Sequence, residues 1–172
     1  MSNVNKLSDF GYAFQIKLIA ILFKDRLFLQ QIIDILDSSY FESESNIVIL
    51  DMIKDYFKEY GTVPTLEAMK VKIVEIENDL LKKSIAENIK SAFQQMESDD
   101  LAFVKEKALE FCKNQEIKKA IVESVELLNR GDYDLIKAKV DNALKAGVEK
   151  DVGHEYIEHV DERYEESVRN TI

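Results

Sequence analysis

Residues 99–147 read DDLAFVKEKALEFCKNQEIKKAIVESVELLNRGDYDLIKAKVDNALKAG, and this stretch decides the fold. Asp99 and Asp100 offer an N-cap, and no Gly or Pro follows until Gly131. The spacing therefore predicts one helix of about 29 residues, roughly 43 Å long at 1.5 Å per residue. Gly131 stands where a left-handed residue ends a helix, Asp132 is placed to cap the next one, and Gly147 closes that one. So short a link forces the two helices antiparallel, which makes a helical hairpin. On its first arm Val104, Ala108, Phe111, Cys112, Ile117, Ala120, Ile121, Val125 and Leu128 recur at helical spacing. Leu135, Ile136, Val140, Ala143 and Leu144 answer them on the second. The first arm outruns the second, so part of its stripe must be covered by the rest of the domain or by another chain.

Working outward, 172 residues suffice for one domain with a real core or for two small lobes. One Pro, five Gly and no Trp, with 46% apolar and 33% charged residues, favour an all-α protein over a sheet protein, whose turns need more Gly and Pro. The net charge of −10 argues against a broad grip on phosphates, so contact with DNA by this segment would be local or indirect. The longest uninterrupted apolar run, Leu18 to Phe23, is far short of a membrane span, and the N-terminus lacks a signal-peptide pattern. The expected setting is cytoplasmic, with no membrane partner. Cys112 falls inside an apolar stripe and reads as a buried structural thiol.

The expected organisation is a compact N-terminal helical lobe over residues 1–98, the hairpin over 99–147, and an acidic linker helix over 148–172. In the lobe, Ser8 is placed to cap a helix from Asp9 to Phe23 that is apolar nearly all round and so belongs at the centre. A second helix spans about Arg26 to Leu36, followed by Tyr40 and Phe41 as an aromatic plug of the core. A third begins at Ser43 or Ser45 and ends at Gly61, with Ile47, Leu50, Ile53, Phe57 and Tyr60 on one face. Pro64 marks a loop, Thr65 caps a short helix to about Val74, and a fifth helix runs from Asp79 to Met96. No alternating pattern long enough for a sheet appears, and no internal repeat.

Beyond Gly147, eight acidic residues against three basic ones leave a net of −5, half the charge of the whole chain. From His154 a thin stripe of Ile157, Val160, Tyr164 and Val168 recurs at helical spacing. So narrow a stripe on so charged a helix does not hold itself in water; it docks on its own domain, on another domain or on another subunit. Residues 154–159, HEYIEH, resemble the zinc-protease HExxH only superficially. His154 and His159 are five apart and point about 140° away from each other on a helix, whereas metal-binding pairs four apart share a face. No GxxxxGK[ST] or GxGxxG loop is present, and with only these two histidines no Ser-His or Cys-His couple is in prospect. This segment is expected to carry no catalytic residue, no metal and no cofactor.

Two stretches carry a resemblance. Ser39, Tyr40, Phe41, Glu42 and Ser43, followed by Glu59, Tyr60, Val63 and Pro64, form the first. The second is Val152, Gly153, His154 and Glu155 with Glu162, Arg163 and Tyr164. In that order, with a lobe and a long-armed hairpin between them, they resemble the N-terminal domain of DnaB-type replicative DNA helicases, and among these the members from T-even bacteriophages. The resemblance implies that the parent protein is a hexameric helicase driven by ATP and Mg, acting at the replication fork in the cytoplasm of a host bacterium. This chain would be its collar, and DNA would meet the parent motor rather than this segment. It further implies that hairpins pair between subunits, with Phe111, Ile117, Ile121 and Leu128 on the first arm and Leu135 and Val140 on the second at the pairing surface. Primase and a helicase loader would touch the collar, and Ile157, Val160 and Tyr164 on the linker would dock on a neighbouring motor. The motor itself, with its phosphate loop, is absent from this sequence. The competing reading is a stand-alone helical adaptor or loader-like protein that binds such a helicase.

Overall fold

Helix α1 (Tyr12–Lys24) is the axis of the fold because its sequence leaves it no wet side. Phe14, Ile16, Leu18, Ile19, Ala20, Ile21, Leu22 and Phe23 are all buried. The computed structural model describes residues 5–148, which are all-α: seven α-helices and two single turns of 3₁₀ helix, with no strand among the described residues. Around α1 are set α2 (Arg26–Ile32), α3 (Glu44–Tyr60), α4 (Leu66–Val74) and α5 (Asp79–Gln94). A long antiparallel pair follows, α6 (Leu101–Arg130) and α7 (Tyr133–Lys145). One hydrophobic cluster runs from Leu7 through α1, α2, α3 and α5 to Val104, Ala108, Phe111 and Cys112 of α6. The root of the hairpin is therefore part of the lobe core.

The starts of the lobe helices follow local chemistry. Asp25, Ser43, Thr65 and Asn78 each accept a backbone N–H in the first turn of α2, α3, α4 and α5. The fifth helix ends at Gln94 rather than Met96, and two boundaries differ further from the sequence expectation. The expected helix from Asp9 begins instead as a 3₁₀ turn, Leu7–Phe10, and Gly11 at φ 95° separates it from α1. The expected second helix stops at Ile32 rather than Leu36, and the chain turns there to bury Ile33, Ile35 and Leu36. On α3, Ile49 shares full burial with Leu50 and Ile53, whereas Tyr60 at the end of the expected face is 60% exposed.

Polar side chains join the lobe helices where apolar contact alone would leave them free to slide. Asn46 of α3 is fully buried; its Nδ2 donates to Gln15 Oε1 of α1 at 3.2 Å, and its Oδ1 accepts from Asn88 Nδ2 of α5 at 2.9 Å. Asn88 also donates to Ser45 Oγ and accepts from the Tyr12 hydroxyl. Each of these amides finds partners, so the network holds one register among three helices. Asn46→Ala strands the Gln15 and Asn88 groups without water, and a cost of about 2–3 kcal/mol is expected in denaturant unfolding, with unchanged helix content by circular dichroism. A loss below about 0.5 kcal/mol would show the network to be incidental.

Candidate assembly surface

The long helix is built without a break because no residue from Leu101 to Arg130 interrupts it. Asp100 occupies its N-cap position, yet its carboxylate makes no cap bond and instead pairs with Lys17 Nζ of α1 at 2.8 Å. That bond holds the Asp100 carboxyl below its ordinary range. At the far end Gly131 takes φ 75°, and two backbone bonds close the turn: Gly131 N–H to Leu128 O at 3.1 Å and Asp132 N–H to Leu127 O at 3.0 Å. This Schellman arrangement requires a left-handed residue, which is why the corner falls on a glycine. Asp132 precedes α7 without a side-chain cap bond.

The two halves of α6 have different surroundings. Val104, Ala108, Phe111, Cys112 and Ala120 are buried, but from Ile121 to Asn142 no residue is. Of the predicted pairing residues, Ile121, Leu128 and Leu135 are exposed to 56%, 57% and 53%, and Ile117 and Val140 are partly covered. Phe111 is placed elsewhere, in the chain's own core at 4% exposure, edge-on to Tyr40 at 5.2 Å between centroids. Its predicted role at a subunit surface is therefore taken by intrachain packing.

Glu123 of α6 and Lys139 of α7 form an ion pair at 2.6 Å and so mark one edge of the hairpin. At about 100° per residue, Ile117, Ile121 and Leu128 project to the opposite edge of α6. By the same rotation Tyr133, Val140 and Leu144 share that opposite edge on α7, while Leu135, one turn from Lys139, falls on the ion-pair edge. The hairpin thus has a charged side and an apolar side, and the structure separates Leu135 from the other predicted residues. Val125, Tyr133 and Leu144, exposed to 58%, 67% and 61%, extend the apolar side. Tyr133, the first residue of α7, stands seven residues before Val140 and so continues that arm's own stripe, a signal the sequence spacing carries.

Little else in the described residues offers chemistry. No group of three or more His, Cys, Asp or Glu side chains there could hold a metal ion. No described helix is long and apolar enough to cross a membrane. The linker residues Ile157, Val160 and Tyr164, and the histidines of HEYIEH, lie outside the described residues. Comparison with protein families, with curated proteins and with solved structures returns no match for this chain.

Two outcomes check this geometry. Phe111→Ala is expected to cost about 3–5 kcal/mol in unfolding, as a cavity in a packed core, whereas Ile121→Ala stays within about 0.5 kcal/mol in the monomer. Comparable losses at both positions would mean that the distal stripe is core. Burial pushes the Cys112 thiol up to about 12, so alkylation at pH 8 is expected to wait for unfolding. Labelling of the native chain at the rate of a free thiol would refute that burial.

Proposed function

We propose that this chain is the assembly collar of a DnaB-type replicative helicase, in which hairpins of neighbouring subunits pair through their apolar sides. The observation that carries this reading is the exposed row of Ile121, Val125 and Leu128 on α6 with Tyr133 and Leu144 on α7. A row of large apolar side chains on one side of a projecting arm marks an interaction surface rather than ordinary protein exterior. An arm with one apolar and one charged side suits a two-fold pairing, in which the same patch meets itself. The stretches around Tyr40 and Gly153 support this family reading, and the apolar side of the hairpin supports pairing as its mode of assembly. Under this reading the parent protein takes ATP and Mg at its motor. The collar receives primase and a helicase loader, and DNA passes through the motor rather than this segment.

The test is sedimentation equilibrium of the full chain, with Ile121→Glu and Leu128→Glu as variants. The wild-type chain is expected to self-associate at micromolar concentration. Each variant is expected to weaken the dimer roughly thirtyfold or more, about 2 kcal/mol, because the introduced carboxylate would be desolvated without a partner. Thermal melts of the dilute monomer are expected to coincide, since both positions are exposed. A chain that remains monomeric at all concentrations, or a dimer indifferent to both substitutions, would refute hairpin pairing.

A further inference from the structure

A groove of about 250 Å³ runs along the root half of α6, where that helix meets the start of α1. Phe10, Phe14, Phe103 and Phe111 line it, and Phe103 and Phe10 are 57% and 36% exposed, so two of the four rings are wet. Phe10 packs on Phe14 and Phe111 with ring centroids 4.8 and 6.2 Å away, which holds one wall in place without closing the groove. Lys107 and Glu110 also line it and bond to each other at 3.3 Å, so neither charge needs an outside partner. What the groove offers is apolar surface.

This groove and the exposed distal row lie on one face of one helix. Phe103 stands eighteen residues before Ile121, which is five full turns, so the two project along the same line. Val125 stands eighteen beyond Lys107 and so leans toward the groove's side of that face. The distal row is small by itself. Ile121, Val125, Leu128, Tyr133 and Leu144, exposed as they are, offer on the order of 500 Å² per copy, against roughly 800 Å² per partner in a stable interface. A two-fold pairing of hairpins that point in opposite directions brings the tip of each over the root of the other, and it keeps the groove's side common to both copies. With Ile121 opposite the neighbour's Ile117, Leu128 falls opposite Glu110 and Val125 opposite Lys113, both within the length of α6 that lines the groove.

We propose that the occupant of this groove is a second copy of the chain, whose Val125 and Leu128 seat beside Phe10 and Phe103 while the same pair of this copy seats in the partner groove. The inference rests on the hairpin pairing proposed above and fixes its register. The overlap runs from about residue 110 to residue 128, roughly 27 Å of α6, rather than over the tips alone. One register then covers the wet phenyl rings at the root and the wet aliphatic row at the tip, and the Lys107–Glu110 pair stays bonded within its own chain.

The test is crosslinking of the self-associated full chain by a short bismaleimide, with Cys112 kept out of the reaction by its burial. A chain carrying Glu110→Cys and Leu128→Cys has the two thiols about 27 Å apart along α6, so a crosslink joins copies. It is expected to form about tenfold faster than in a chain carrying Ile117→Cys and Leu128→Cys, the pair that a register of tips alone would bring together. In sedimentation, Phe103→Glu is expected to weaken self-association about tenfold while leaving the melt of the dilute monomer unchanged, since that ring is exposed. Val122→Glu, at a position 71% exposed but turned about 100° from Ile121, is expected to leave association unchanged. A faster crosslink in the second chain, or association indifferent to Phe103→Glu, would overturn this register and leave hairpin pairing standing. A chain that never associates would overturn both.

Discussion

The burial of Val104, Ala108, Phe111 and Cys112 against the lobe is the constraint on which the rest depends. Together these side chains remove apolar surface worth on the order of 6 kcal/mol from water, a large share of what holds a domain of this size together. A 30-residue helix anchored so firmly along its first half has to project with its second. Among the described residues the distal half of α6 packs on α7, where Ala120 and Ala143 are buried and Leu127 and Ile136 partly covered. The Glu123–Lys139 pair on its edge is exposed and screened by water, so it orients the hairpin more than it stabilises it.

The lobe solves a different problem. Four helices around an axis that is apolar on nearly all sides have many ways to pack at similar cost, since burial has no direction. The Gln15–Asn46–Asn88 network removes that freedom, because only one register lets all three buried amides bond. The ion pairs Lys17–Asp100 and Lys105–Asp25 do the same at the junction of α6 with α1 and α2. Burial works against the ionisation of Asp25, yet the Phe28 N–H and the Lys105 ammonium outweigh it and hold its carboxyl below the ordinary range. One end of the hairpin is packed and ion-paired into the lobe, and the other presents apolar side chains to solvent. That division is the one the proposed hairpin pairing would use.

Much of this was legible in the sequence because it rests on local chemistry. The uninterrupted run from Leu101 to Arg130, the glycine corner, the caps at Ser43 and Thr65 and the all-apolar α1 are each dictated by neighbours within a few residues. The misreadings were local competitions too close to settle from periodicity. Gly11 ends a turn that helical spacing would have carried through, and the chain after Ile32 turns early because Ile33, Ile35 and Leu36 all reach core that way.

Local spacing was enough to place the helices to within a turn and to show that the first arm carries more apolar surface than the second can cover. Which part of that surface stays open was decided by tertiary structure. Phe111 and Ile121 belong to the same stripe, yet one is buried against Tyr40 and the other faces solvent. Leu135 and Leu144, nine residues apart, already point half a turn from each other on the second arm, but only the Glu123–Lys139 pair shows which of them shares an edge with Ile121 and Leu128. The physical reason is that periodicity records the direction of a side chain around its own helix, whereas exposure depends on what lies in that direction.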